Sequence, residues 1–529
     1  MSDVPVCELC EKNPAALYYT EIADNRAAKL FICRDCAEAR GLLDETPNVD
    51  ALLSSLATPV AAPAAPALRC SRCSLNFARF QQRGRLGCPS CYAAFGEALL
   101  QLLQGIQPGT RHTGRRPGAS GPGEEHRAHL AHLRRELDLA VRTEAYERAA
   151  ALRDALRAAE SGAAAPAAPP AHAPAASARG VADLVQRPSV WLRGEGPESD
   201  VVLSTRIRLA RNLADRVFPE DAGDTSRTAT LQEVLTRTAT LPHASGMLQF
   251  ELAALTALER RILAERQLLS QDLVEAPLER GVVFAGDESV AIMINEEDAL
   301  RLQSLVSGLD IRRAYAAVAA LETGIGERLD LAFDDALGYL TASPNLTGTG
   351  MRAAVLLHLP GLVLESRMDA ELSTLHRHGV AVRGSHGEGS AALGNLFQIS
   401  NSATLGLGEE DILERLETVA HDLIVKEKQA REALLSRARS LLEDRVWRSF
   451  GILRHARRLS AQETLQHASM LRLGRATGIL DVSLALVIDL LCLGQEAHTE
   501  LRAGSDGDAL QGSLWRAATI RGKLEGSQN

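Results

Sequence analysis

The sequence predicts a multidomain chain: two N-terminal four-cysteine modules and an α-helical hairpin, then an α+β domain, then an α-helical C-terminal domain. Three observations predict it. Eight of the nine cysteines lie in the first 91 residues, all as Cys-x-x-Cys pairs. Three low-complexity stretches interrupt the chain: Ala57 to Leu68 and Ser161 to Arg179 are Ala/Pro-rich, and Gly105 to Glu125 is Gly/Pro/Arg-rich. Downstream, β-rich runs alternate with amphipathic helical patterns as far as Glu409, and beyond it helical periodicity dominates.

The cysteine pairs form two quartets, Cys7/Cys10 with Cys33/Cys36 and Cys70/Cys73 with Cys88/Cys91, with intervals of 22 and 14 residues. A two-residue gap lets two thiolates face one ion, and four thiolates in a tetrahedron suit structural Zn²⁺. Metal replaces the core that segments this short cannot build. Redox or iron–sulfur use is the competing reading, and oxidation of the thiolates would add stress sensing. The expected modules span 1–56 and 69–104, joined by a linker over 57–68. A second linker, 105–125, leads to a hairpin over 126–160, where Leu130, Leu133 and Leu137 form one stripe. A third, 161–180, leads to the body of the chain, in which an α+β domain over 181–425 precedes a helical domain over 426–529.

Within the body, Gly281-Val282-Val283-Phe284 and Val290-Ala291-Ile292-Met293-Ile294 read as strands. Leu413, Leu416, Val419, Ala420 and Leu423 recur at helical spacing and predict a helix with one buried face. Ile479 to Leu493 is apolar but carries Asp481 and Asp489, so it reads as a buried helix and not a membrane span, with Cys492 a small core residue.

Composition narrows the function. Of 529 residues, 46% are hydrophobic and 24% charged, ordinary for a globular protein, and length alone suggests about three to four domains. A net charge of -9 gives no chain-wide reason to expect a nucleic-acid partner. Met1 to Cys10 has neither a basic nor an apolar leader segment, and paired cysteines in a chain without an export signal favour metal over disulfides. A cytoplasmic protein with no membrane association is expected.

The chemistry-bearing residues lie in the α+β part. Asn295-Glu296-Glu297-Asp298 and Arg383-Gly384-Ser385-His386-Gly387-Glu388 bring carboxylates and arginines, and Ser204-Thr205-Arg206-Ile207-Arg208 and Gly348-Thr349-Gly350-Met351-Arg352-Ala353 add more arginines. The chain has no GxxxxGK[ST] loop and no protein-kinase motif set. Singly, each charge is an ordinary surface residue. Glu296 to Asp298 alone reads as an acidic helix start, and Ser204 to Arg211 as a basic strand edge. Their occurrence in this order, with Gly338-Tyr339-Leu340-Thr341-Ala342 and Gly394-Asn395-Leu396-Phe397-Gln398-Ile399-Ser400, resembles the phosphagen (guanidino) kinase family over residues 188–425.

That resemblance implies an antiparallel sheet flanked by helices, ATP with Mg²⁺, and phosphoryl transfer to a guanidinium nitrogen. Arg206, Arg208, Arg301, Arg352 and Arg383 would neutralise the triphosphate. By the same resemblance Ser204, Thr205, Ile207, Ala353, Ala354, Val355, Leu356, Gly384, Ser385, His386, Gly387 and Glu388 belong to the ATP site, with Gln267 where the family has a nucleotide-contacting His. A guanidinium is a cation at neutral pH and a poor nucleophile, so a nitrogen must be held in line and relieved of a proton. Glu297 and Glu388 are the implied clamp, Glu297 the base, with Glu296 and Asp298 supporting or ordering Mg²⁺-bound water.

Domain order chooses among guanidino kinases. Those acting on small substrates carry a helical domain before the Ser-Thr-Arg-x-Arg motif. Here little foldable sequence separates Val181 from Ser204, and the helical domain follows, as in protein-arginine kinases. A guanidinium site without a covering domain would admit an arginine on a protein surface. Upstream, Tyr146 to Asp154 resembles a UVR motif, and with the two cysteine modules residues 1–160 resemble McsA-type activators. The expectation is a protein-arginine kinase fused to its activator, with two zinc ions. Its partners would be substrate proteins with accessible arginine, a Clp ATPase or protease, a stress-response repressor, and a second copy of the chain.

Several positions depart from the family pattern. Ala299 stands in place of His, Ser343 in place of Cys, and only Arg516-Ala517 survives of a phosphoarginine-binding motif whose first two places are Gly512-Ser513. A non-catalytic scaffold with a nucleotide-binding pseudokinase is the alternative of another class, but a scaffold need keep neither Glu297 nor Glu388. A small-guanidino kinase is disfavoured by domain order, and excision repair by the absence of helicase motifs.

Overall fold

A computed structural model describes residues 17–23, 26–32, 68–117, 153, 156–157, 180–241, 244–377, 379–384 and 393–525. The chain divides into two units, Met1–Val60 and Ala61–Asn529. In the first, strands β1 (Leu17–Ala23) and β2 (Arg26–Ile32) pair antiparallel, from Leu17↔Ile32 to Ala23↔Arg26. Cys7, Cys10, Cys33 and Cys36 lie outside the described residues. Of the hairpin expected over 126–160, Arg153, Leu156 and Arg157 are described, all helical.

The second unit opens with helix α1 (Phe77–Arg83) and helix α2 (Ser90–Ile106). Asn76 starts α1 by accepting from the Arg79 amide at 2.7 Å, and Gly84 ends it in the left-handed conformation, φ 66°. Then comes the sheet, eight antiparallel strands in the order β11-β12-β10-β3-β7-β6-β5-β4. They are β3 (Val202–Arg211), β4 (Met247–Glu251), β5 (Gly281–Ala285), β6 (Val290–Ile294), β7 (Leu300–Ser307), β10 (Met351–His358), β11 (Val380–Gly384) and β12 (Leu396–Asn401). The short pair β8 (Phe333–Asp334) and β9 (Gly338–Tyr339) lies apart. The two β-rich runs read from sequence are β5 and β6. The Ser204–Arg211 stretch, which could have been a strand edge, is an interior strand between β10 and β7.

Side chains alternate across each strand, so the two faces differ. One face sends Ile207, Leu209, Val283, Ile292, Leu302, Ala353 and Val355 into the main core, against helices α3 (Asp224–Thr238), α5 (Ile311–Gly326) and α6 (Glu409–Arg437). On the other face Leu203, Leu356 and Leu396 join the core of the C-terminal helices. Val282, Phe284, Ala291 and Met293 there pack with helix α4 (Ala257–Glu265). Neither of these two cores includes Arg206, Arg208, Arg301 or Arg352.

Helix α6 begins at Glu409, where the helical periodicity sets in, and runs unbroken to Arg437. It is followed by α7 (Arg439–His455), α8 (Ala461–Ala476), α9 (Leu484–Leu493), α10 (Glu496–Ala503) and α11 (Ala509–Glu525). In the apolar stretch Ile479–Leu493 the helix starts only at Leu484, where Ser483 accepts from the Leu486 amide at 3.1 Å, and Cys492 is buried as expected. Among the described residues no helix is long and apolar enough to cross a membrane. The stretch 105–117, expected to be a linker, instead lies against the sheet domain. Gln107 is 6% exposed and accepts from the Thr404 and Leu405 amides at 2.9 and 3.1 Å.

One buried ion pair fastens the end of β3. Arg211, 1% exposed, donates from Nε to Glu322 Oε1 of α5 at 2.6 Å and from Nη1 to the Thr349 carbonyl at 3.0 Å, with its guanidinium 3.4 Å from the Tyr339 ring centroid. Gly350, in the Gly348-Thr349-Gly350 turn, leaves room for this approach. Gly350 has φ 62°, and a Cβ there would collide with Arg211 Nη1. Glu322→Ala strands that buried cation and is expected to cost about 3–5 kcal/mol. The check is a lower urea midpoint with an unchanged m value, and Arg211→Met combined with Glu322→Leu should recover most of the loss.

Candidate active site

Strand register alone gathers the arginines. Arg206 and Arg208 are two apart on β3 and share a face. Arg352 pairs directly with Arg208 across β10, and Arg301 pairs with Ala210, which lies on the same face. Arg383 pairs with Gln398, and Gln398 with Leu356, so the fifth position falls on that face as well. The confinement is costly. Burial first, then repulsion from Arg206, Arg301 and Arg352, push Arg208 well below the ordinary guanidinium range, and Glu296 opposes the shift. Burial, followed by Arg301, brings Arg206 down to about 10. Two amides steady Arg206: it donates to Gln267 Oε1 at 3.2 Å and to Gln398 Oε1 at 2.9 Å. Arg208 Nε is buried and has no hydrogen-bond partner among the described residues.

The β6–β7 turn delivers carboxylates to this face. Asn295 sits at φ 58°, a conformation Asn tolerates, and its side chain donates to the Arg227 and Glu279 carbonyls at 2.8 and 2.7 Å. Glu296 takes Arg301 Nη1 at 2.6 Å and accepts from the Glu297 amide at 2.9 Å. Glu297 stands 3.8 Å from Arg301 Nη2 and 2.8 Å from Nε of Arg85, a residue of the cysteine module. Burial raises Glu297 above the usual carboxylate range, against the pull of Arg85 and Arg301. Asp298 accepts from Asn212 Nδ2 at 2.6 Å and the Ala342 amide at 2.7 Å, and burial lifts it to about 7. Ala299, in the family's His position, is buried, and its amide donates to Asn212 Oδ1 at 2.8 Å.

Arg206, Arg208, Arg301, Arg352, Gln267, Glu296 and Glu297 are therefore brought together. Thr205, Ile207, Ala353 and Val355 alternate onto the opposite face, where Thr205 donates to the Gly308 carbonyl at 2.8 Å. Ser204, Ala354 and Leu356 share the arginine face, although Leu356 belongs to the C-terminal core. Gly384 ends β11, and Ser385, His386, Gly387 and Glu388 lie outside the described residues. Two residues escaped the site reading. Gln398 sat in a stretch read as framework, and Arg85 in a segment read only for its cysteines.

The cysteine module is built around a tight turn and a helix start. Cys70 accepts from the Ser74 amide at 3.0 Å, and Cys88 precedes α2, accepting from the Cys91 amide at 3.0 Å. The sulfurs of Cys70, Cys73, Cys88 and Cys91 lie within 4.8 Å of one another, with the closest pairs at 3.3, 3.5 and 3.8 Å. A tetrahedral zinc with bonds of about 2.3 Å needs sulfurs about 3.8 Å apart, so the set fits Zn²⁺. Hydrogen bonds, first from Cys91, hold the Cys88 thiol down at about 5, whereas burial pushes Cys73 up to about 12.

This module is docked on the sheet domain. Leu86 donates its amide to the Ala342 carbonyl at 2.8 Å, and the Phe218 amide donates to Gly87 at 2.8 Å. Tyr92 donates to the Thr341 carbonyl at 2.8 Å and lies 2.7 Å from Thr347 Oγ1. Ser343, in the family's Cys position, lies buried within this docked segment. Cys91→Ser in the full chain is expected to lower bound zinc by about one ion and expose the module to protease, read by metal analysis and limited proteolysis.

Comparisons with known proteins agree with this layout. The family ATP:guanido phosphotransferase, C-terminal catalytic domain, matches residues 230–430, and the McsA central zinc-finger domain matches 68–114. The UvrB/uvrC motif matches 129–161 and the protein-arginine kinase McsB C-terminal domain 439–529. Over 345 residues the chain is 41% identical to a protein-arginine kinase of Desulforamulus reducens, covering 64% of this chain and 97% of that protein. A protein-arginine kinase of Moorella thermoacetica is 42% identical over 347 residues, covering 65% and 99%. A solved taurocyamine kinase from Schistosoma mansoni aligns at TM-score 0.47 and 20% identity, over 65% of this chain and 40% of that one. Because it covers such relatives nearly end to end, the chain belongs to the protein-arginine kinase family.

Proposed function

We propose that the chain is an ATP-dependent protein-arginine kinase carrying its zinc-binding activator in the same polypeptide. The observation that carries this reading is the arginine face standing beside the Glu296–Glu297 turn. Arg206, Arg208, Arg301, Arg352 and Arg383 hold the triphosphate, whose charge relieves their mutual repulsion. The acceptor guanidinium rests on Glu297, with Glu388 assigned as the second clamp by its motif. A guanidinium nitrogen attacks the γ-phosphorus, the N–P bond forms as the Pγ–O bond to ADP breaks, and Glu297 takes the nitrogen's proton. Mg²⁺, when bound, would neutralise the triphosphate further. Glu296 is the carboxylate assigned to order its water, and Asp298 shapes the turn through Asn212 and Ala342.

Further assignments follow the same reading. A second zinc ion is assigned to Cys7, Cys10, Cys33 and Cys36. Thiolate sites need a reducing compartment, which argues for the cytoplasm. Substrates are proteins with accessible arginine, and by family resemblance the product is read by a Clp ATPase or protease, with a stress-response repressor among the targets. A homodimer is assigned to the apolar residues left exposed on α7 (Leu441, Trp447, Ile452) and α11 (Leu510, Leu514).

The test is incubation with Mg-ATP and an arginine-bearing protein, followed by assay of acid-labile phosphate. Glu297→Gln is expected to lower kcat about 10²–10⁴-fold with little change in KM for ATP. Transfer to free arginine but not to protein would overturn the substrate assignment. Glu297 must be ionised to take the proton, and burial raises it. The acid limb of kcat/KM should therefore lie above the usual carboxylate range and vanish in Glu297→Gln.

A further inference from the structure

We infer that Arg85 of the zinc module occupies the acceptor position of the active site and competes in cis with the arginine of a substrate protein. The inference rests on the kinase reading of Glu297. Arg85 brings to that carboxylate the functional group the proposed substrate would bring, with Nε 2.8 Å from Glu297 Oε1.

Its placement is built. Gly84 ends α1 at φ 66° and turns the chain toward the β6–β7 turn. On one side Arg83 grips Asp221 through its two terminal guanidinium nitrogens, Nη1 at 2.8 Å, and donates from Nη2 to the Arg85 carbonyl at 3.3 Å. On the other, Leu86 donates to the Ala342 carbonyl at 2.8 Å, and Ala342 in turn donates to Asp298, the neighbour of Glu297. Gly87 lets the loop approach, because a Cβ there would collide with Asp221 Oδ2. The backbone on both sides of Arg85 is thus fixed, and its side chain is delivered to one carboxylate.

The grip is weak enough to yield. The Arg85 side chain is 37% exposed, and Glu297 Oε1 receives no aligned hydrogen bond from it. Nη1 of Arg85 turns back to the Gly84 carbonyl at 3.3 Å, so the planar fork is not presented to Glu297. An incoming arginine that offers two parallel N–H bonds makes the better partner. Arg85 persists because it is tethered, at an effective concentration on the order of millimolar. It therefore filters acceptors, admitting an arginine that is presented well and refusing a casual encounter.

The experiment compares the full-length zinc-loaded protein with Arg85→Ala, a substitution at a partly exposed loop position. Initial rates are measured at saturating Mg-ATP while an arginine-bearing protein is varied. If Arg85 fills the site about nine-tenths of the time, KM for the acceptor falls about tenfold, because apparent affinity scales with the free fraction. KM for ATP does not follow it, which separates occupancy from a general loosening. An acceptor KM that is unchanged or higher in Arg85→Ala overturns the inference. Calorimetry with free L-arginine, without nucleotide, reads occupancy independently of turnover. Tighter binding to Arg85→Ala supports it, and equal binding overturns it. Absence of phosphate transfer by both proteins would instead refute the kinase reading, with the binding comparison still deciding the role of Arg85.

Discussion

Like charge held on one sheet face is the constraint on which this molecule is organised. Arg206, Arg208, Arg301 and Arg352 stand together on strands β3, β7 and β10, and the register fixes them there regardless of their repulsion. The sheet tolerates this because its other face is buried without interruption against α3, α5 and α6. Carboxylates at the edge of the patch supply partial relief, with Glu296 taking Arg301 directly. Such a surface leaves positive charge uncompensated, which favours an anion there.

Part of this was legible in the sequence and part was not, for physical reasons. The spacing of Arg206 and Arg208 places them on one strand face by alternation alone. The strands Gly281–Ala285 and Val290–Ile294 are dense in β-branched residues and needed no tertiary information. That Arg301 and Arg352 flank Arg206 and Arg208 depends on strand order, which no local pattern encodes, and motif resemblance carried it. The Gly/Pro/Arg-rich stretch after Gly105 has a composition that forbids regular structure, but irregular backbone can still be buried. Gln107 shows how, satisfying the Thr404 and Leu405 amides with its side chain.

The acceptor side was the least legible. Domain order suggested a guanidinium site with nothing over it, whereas the second cysteine module reaches the Glu297 carboxylate from the Gly84–Gly87 loop. Arg85 carries no local signal, since an arginine between two metal-binding turns looks like any solvated charge. The same module holds the Thr341–Thr347 segment through Tyr92, so one small unit touches both the carboxylate turn and the segment containing Ser343. The four-cysteine cluster, through Cys88, closes the short loop between α1 and α2 that carries Arg85 to Glu297.

Helix α6 has a mechanical corollary. Its 29 residues run from the sheet core, through Leu413, Leu416, Ala420 and Leu423, into the neighbourhood of the C-terminal helices. Near its middle the buried Glu427 accepts from the Gly361 and Leu362 amides at 2.9 and 3.0 Å, and from Arg431 at 2.7 Å. A continuous rod of about 43 Å, bolted at midspan, cannot fold like a hinge. A displacement of the terminal bundle would therefore load the Gly361–Leu362 turn as well as the strands, because both are joined to the same helix.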